Sequence, residues 1–475
     1  MISPSQHPFE IHVARREAVL DRLRALLVER LHVERDPASI DPDTPLFGTG
    51  LGLDSVDAVE LVVSLEDFFG VKLPDDALDR RAMRTVGKLA DMVQSFERDA
   101  ARTSPGSAAL PPAPPPRHTI EGDVEIAALR LGVAWSTEPP VVALRVHGDD
   151  AFTVMDRACA ADLFVRDGQV RPTVLLDERG HVLADVYVGQ DDEACLLLSE
   201  GPSAAELTDH LRALAPPGAR FTIEELTAEH ETLSVHGPYA WELIGELLGP
   251  DLIGLPYLYF YRTDDIFCLR AGKTGEYGYD LLVPKARAAD LHARIEELGR
   301  PFDLARVGLR ALDQCSLENG FFNQRREGSR RLSPIELGLS WRVSPTKGSF
   351  LGAEALRSSM HALPGRRVTS IMGPSPFAAG DALWHEGKPI GEILAAGFSA
   401  ATLGHVGTAL LDRPYFHAGI DGITAGAAPG ERGAGMPTGT LRTVAPPVVN
   451  NRSLYINPQR HAYATRARDT FPPLA

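Results

Sequence analysis

The chain has 475 residues, 44% of them hydrophobic and 24% charged, with a formal net charge of −16. That length exceeds what one hydrophobic core supports, and the composition is that of a folded globular protein of two to four domains. The acidic balance excludes the basic surface that neutralises nucleic-acid phosphates, and no run of 18 apolar residues is present to span a membrane.

The opening residues, MISPSQHPFEIHVARRE, carry no basic start followed by an apolar stretch, so a cytoplasmic location is expected. REAVLDRLRALLVERL then spaces Val19, Leu20, Leu23, Leu26 and Leu27 as one helical face. SVDAVELVVSLEDFF repeats the pattern with Val56, Val59, Val63, Leu65, Phe68 and Phe69, and VGKLADMVQSF supplies a further short helix. The expectation over residues 1–100 is a small all-α four-helix bundle. It is strongly acidic: residues 41–80 hold ten acids against Lys72 and Arg80, which suits a basic partner patch.

Residues 101–119, ARTSPGSAALPPAPPPRHT, cannot belong to a packed core, because proline removes backbone donors and favours extended conformations. They read as a semi-rigid tether. Beyond it, VVALRVHG, TVLLD, VLADVYVG and CLLLSE alternate with helical DAFTVMDRACA and AAELTDHLRAL, the pattern of an α+β domain over residues 120–365. From Arg366 the strands are short and punctuated by glycine or proline, predicting a C-terminal β-barrel over residues 366–475. The four cysteines, Cys159, Cys195, Cys268 and Cys315, lie far apart without a C-x-x-C pair, so reduced thiols and no metal site are expected.

Ser55 stands out in the front domain. Serine often caps helices, but Asp54 fills that role better at the positive end of a helix. Ser55 then falls in the first turn with its hydroxyl free, behind the flexible GTGLGLD loop and beside an acidic face of Asp57, Glu60 and Asp67. GLDSVDAVEL, with IDPDTPLFGTG upstream and FGVKLPDD downstream, resembles the acyl carrier protein family, whose members carry G-x-D-S at the start of their second helix. The resemblance, over residues 15–98, implies that a phosphopantetheinyl transferase attaches 4′-phosphopantetheine to Ser55, and that a carrier-loading ligase or synthase charges the arm.

In the body, the VLADVYV strand holds Asp185 between apolar neighbours, an unusual place for a carboxylate unless it is paired. GKTGEYGYD places Glu276 in a glycine-rich turn between strands. GLRALDQCSLENG, KGSFLGAEAL and GKPIGEILAAGFSAATLGHVGTALL follow. In this order the segments resemble the glycine-cleavage T-protein family of folate-dependent aminomethyltransferases, whose motifs read GYTGEDG(F/Y)E, GLRALDSLRLEKG and KGDFIGREAL. The resemblance implies that Asp185 assists proton movement near the ring nitrogens of tetrahydrofolate or 5,10-methylenetetrahydrofolate. It further implies that Glu276 hydrogen-bonds the pterin, with Tyr279 and Glu318 completing the cofactor set. The bland alternatives are an exposed strand acid for Asp185 and a solvated hairpin acid for Glu276.

The departures are specific. The doublet of acids in the family is Ala184–Asp185, the tyrosine of the turn is Lys273, and the second arginine of the helix is Ser316. A Walker loop fails because Phe267 stands where its first glycine belongs, and Leu53 breaks a dinucleotide loop. His230 and His236 fit a strand better than a metal site, and Ser349 in KGSFLG lacks the cysteine of the iron–sulfur-maintenance branch. The expected function is one-carbon transfer between folate and a small acid tethered to Ser55, in the assembly of specialised metabolites. The alternative is an inactive folate-fold scaffold that presents the carrier to other enzymes, and a third reading keeps the enzyme but gives the arm to another module.

Overall fold

The computed structural model describes residues 7–70, 80–102, 118–139, 141–263, 265–344, 346–357, 359–360, 362–426, 440–466 and 471–475. Most of the tether and the VKLPDD part of the carrier motif lie outside the described residues. The last carrier helix runs to Arg102, two residues into the stretch read as tether.

The front domain holds three α-helices among the described residues, Pro8–Glu29, Ser55–Phe69 and Val86–Arg102, with one 3-10 turn at Pro37–Ser39. Val19, Leu20, Leu23, Leu26 and Leu27 of the first helix meet Leu61 and Leu65 of the second and Val86, Leu89 and Val93 of the third. One expectation is corrected here. Val56, Val59 and Val63 are not core residues; they are 71%, 66% and 55% exposed. The buried stripe of that helix runs through Leu61 and Leu65, and the three valines form a second apolar face that points to water.

The body contains three sheets. The first orders its strands Val170–Leu176, Val182–Asp191, Ala194–Glu200, Val141–His147 and Thr222–Glu225, all antiparallel. The second runs Ala305–Arg306, Ala134–Ser136, His230–His236, Gly278–Pro284, Ile266–Leu269 and Phe260–Thr263. The third begins at Arg366, where the C-terminal domain was expected, and is a six-stranded antiparallel sheet. It curls until its edge strands meet in a bridge between Ile423 and Leu441.

The carrier is docked on this third sheet. Phe9 stacks on Tyr415 with ring centroids 4.9 Å apart, and His12 Nε2 lies 3.0 Å from the Ala418 carbonyl. Arg367, on the first strand of the curled sheet, is buried against two carrier acids and donates to Asp41 Oδ2 and Asp43 Oδ2, each at 2.6 Å. The loop ahead of the third carrier helix reaches the C-terminal segment, where Arg81 donates to the Val448 carbonyl at 3.2 Å.

Candidate active site

Ser55 is the first residue of its helix and is exposed. Asp54 caps the helix by accepting from the backbone N–H of Val56 at 2.7 Å and Asp57 at 3.0 Å, and Asp57 returns a bond to the Asp54 N–H at 2.8 Å. This reciprocal capping box satisfies the first backbone donors without Ser55. The serine hydroxyl is thus held on a rigid helix end, free for modification.

The acids of the body gather in a cleft between the first two sheets. Strand pairing places Asp185 directly opposite Glu200 on one sheet and Asp280 opposite Ser234 on the other, so each pair shares a face. The helix Leu309–Asn319 closes the cleft with Leu312, Asp313 and Ser316. Two adjoining hollows, with cavity volumes of about 60 Å³ and 30 Å³, share Val141, Glu200, Gly272, Lys273 and Asp280 as walls. A larger hollow, about 310 Å³, is lined by His118, Ile120, Leu131, Arg452, Tyr463 and Phe471 among others, and by none of these acids.

Asp185 is only 2% exposed, so the exposed-strand alternative is excluded. Its carboxylate is offset by two cations. Oδ1 accepts from Arg342, and Oδ2 stands 3.0 Å from Lys273 Nζ. Lys273 also pairs with Glu200 at 3.2 Å, and Arg325 lies 3.7 Å beyond Glu200. Burial lowers the Arg342 guanidinium to about 10, which leaves it cationic at neutral pH. Asp280 differs: burial and the neighbouring Glu200 push its carboxyl up to about 7, against the pull of Lys273. The cleft therefore holds one carboxylate clamped by two cations and one carboxyl poised near neutrality.

Three expected cofactor residues fall elsewhere. Glu276 is buried with its oxygens already engaged: it accepts from the Arg452 N–H at 3.2 Å, the Ser453 N–H at 2.8 Å and the Ser453 hydroxyl at 2.7 Å. Arg130 lies 3.5 Å away and also donates to Glu318, so Glu276, Arg130 and Glu318 form a buried acid–arginine–acid group. Burial raises the Glu276 carboxyl despite Arg130 and Ser453. Tyr279 is fully buried in the apolar core of the second sheet. None of the three lines the cleft, because Glu276 precedes the strand that begins at Gly278 and Tyr279 points to its opposite face.

Sequence reasoning gave no role to Asp280, Lys273 and Arg342, which the structure gathers around Asp185 and the cleft. The signal for Asp280 was strand parity: Gly278 and Asp280 share one face, which becomes the cleft floor. Lys273 was visible as a departure from the family motif, but its pairing with Asp185 was not.

Comparison with known proteins agrees with this two-part layout. A family profile described as "Phosphopantetheine attachment site" matches residues 21–93, and one described as "GCVT N-terminal domain" matches residues 120–347. An aminomethyltransferase of Caldanaerobacter subterraneus subsp. tengcongensis is 28% identical over 283 residues, covering 58% of this chain and 75% of that protein. One from Mycobacterium leprae (strain Br4923) is 30% identical over 282 residues, covering 56% of this chain and 74% of its own. The crystal structure of glycine cleavage system aminomethyltransferase T from Bartonella henselae superposes with a TM-score of 0.62 at 24% identity, over 69% of this chain and 89% of that one, a likeness of fold. The chain belongs to the aminomethyltransferase family and carries a phosphopantetheine-attachment domain fused ahead of its aminomethyltransferase-like body.

Proposed function

We propose that the protein transfers one carbon between tetrahydrofolate and a small acyl or aminoacyl group held on the Ser55 arm, in specialised-metabolite biosynthesis. The observation that carries the reading is the cleft itself, where Asp185, Lys273 and Asp280 meet in a chain whose carrier is docked on the same body. The phosphopantetheine arm, when attached, supplies a thiol that holds the substrate as a thioester.

The residues of the chain have separable tasks. Asp280 replaces Glu276 as the acid that accepts the adjacent N–H donors of the pterin, an arrangement suited to a bidentate carboxylate. Asp185 orients the Lys273 ammonium 3.0 Å away, and this pair handles the proton that moves when carbon leaves or joins a ring nitrogen. Arg342 keeps Asp185 offset when the Lys273 proton is in transit. Docking in one chain raises the effective concentration of the arm toward the millimolar range, so a weak carrier contact suffices.

The exposed stripe of Val56, Val59 and Val63 favours a second reading, in which the body is a scaffold and the carrier meets other enzymes. A calorimetric titration with tetrahydrofolate separates the two. Binding that is weakened about tenfold or more in Asp280→Asn supports the transferase, and no binding to the wild type leaves the scaffold.

A further inference from the structure

Two polar groups in the wall of the cleft have no partner. The Ser234 hydroxyl is fully buried, His236 is 4% exposed, and neither Ser234 Oγ nor His236 Nδ1 makes a hydrogen bond. Both residues line the cleft beside Lys273 and Asp280. They stand two apart on the strand His230–His236, on one face, with Asp280 opposite Ser234 and Gly278 opposite His236.

The imidazole sits in a built cradle. A Cβ on Gly272 would come within 3.1 Å of its Cε1, and one on Gly278 within 2.9 Å of its Nδ1. The ring thus adds to what already requires these glycines, a φ of +132° at Gly272 and the Ala271 carbonyl 2.2 Å from a Cβ on Gly278. Burial lowers the His236 imidazole to about 4, so it is neutral at pH 7 with a single N–H. Nδ1, the ring nitrogen without a partner, is the one that a ligand must satisfy. Buried hydroxyl and imidazole groups are costly when unpaired, which marks them as groups that a ligand satisfies.

We propose that Ser234 and His236 form the oxo-recognising end of the ring site, donating hydrogen bonds to the 4-oxo oxygen of a lactam heterocycle whose adjacent N–H groups are accepted by Asp280. The inference rests on the folate reading above and adds the specificity of its ring edge. Neutral donors suit an uncharged carbonyl. The same pair rejects a ring carrying an amino group at that position, because donor then faces donor and the buried groups remain unpaired.

The test is a titration of the full chain with tetrahydrofolate and with its 4-amino counterpart. The wild type is expected to prefer the oxo ligand by about 30-fold or more, the scale set by one or two lost hydrogen bonds to buried groups. His236→Phe and Ser234→Ala each weaken the oxo ligand several-fold and shrink that preference, the remainder coming from the ring N3–H that Asp280 accepts and a 4-amino ring lacks. His236→Gln, which retains a side-chain N–H, keeps most of it. Ser234→Ala removes one oxygen, so the test stands if His236→Phe does not fold. An undiminished preference in both variants overturns the proposal and leaves the folate reading intact, and no preference in the wild type overturns it together with the role given to Asp280. Failure of both ligands to bind the wild type overturns the two together.

Discussion

Arg367→Leu should detach the carrier from the body. The arginine is buried and lies between Asp41 and Asp43, and its guanidinium is held well above its usual value by those two acids. Burial raises the Asp43 carboxyl even with Arg367 beside it. Removing the cation leaves two carboxyls in a site that no longer compensates them, and breaking a buried pair from one side costs about 3–5 kcal/mol. The cheapest relief is for the carrier to lift away and return both acids to water, so the docking equilibrium constant should fall by roughly two to four orders of magnitude. Hydrogen exchange reads this directly. Protection at residues 8–13 and 415–419, where Phe9 and His12 meet Tyr415 and Ala418, is lost, while that of the Gly278–Pro284 strand is unchanged. Adding Asp41→Asn and Asp43→Asn to Arg367→Leu should recover most of the docking, because no charge is then buried alone. Unchanged protection at both interface segments in Arg367→Leu would refute the claim that this arginine holds the carrier.

Glu276 and Asp280 should separate cleanly. Glu276→Gln unsettles the buried group with Arg130 and Ser453 and lowers the melting temperature by several degrees, without a specific effect on folate affinity in the folded protein. Asp280→Asn weakens tetrahydrofolate binding about tenfold or more and leaves the melting temperature unchanged or raised, since the half-buried carboxyl beside Glu200 is itself a burden; differential scanning fluorimetry with calorimetry checks both variants. Binding should also follow pH through the same residue. Asp280 must be ionised to accept two N–H groups, and its folded pKa is raised to about 7 with Glu200 and Lys273 facing it. The dissociation constant therefore rises about tenfold for each pH unit below 7 and is flat above it, a slope that Asp280→Asn abolishes.

Much of the fold was legible because local rules carried it. The carrier helices followed from leucine spacing, the cap on Ser55 from Asp54, and the C-terminal sheet from its change of rhythm at Arg366. Val56, Val59 and Val63 were misread because helical periodicity marks apolar residues without saying which of two apolar faces finds a partner. Asp185 was legible as an acid inside an apolar strand. Lys273 and Arg342, which make its burial tolerable, come from distant segments, and no local pattern joins them. The choice between Glu276 and Asp280 turned on one boundary: once the strand starts at Gly278, alternation sends Asp280 to the cleft and Tyr279 to the core. A glycine-rich turn does not reveal that boundary from sequence.

Carbon transfer to the Ser55 arm is read by intact-protein mass spectrometry. The full chain is treated with a phosphopantetheinyl transferase, loaded with candidate acids and incubated with 5,10-methylenetetrahydrofolate. The expected result is a one-carbon mass change on the arm in the wild type, its loss with the arm itself in Ser55→Ala, and a loaded but unchanged arm in Asp185→Asn. A wild-type arm that never changes mass, or carbon transfer that proceeds equally well in Ser55→Ala, would contradict it.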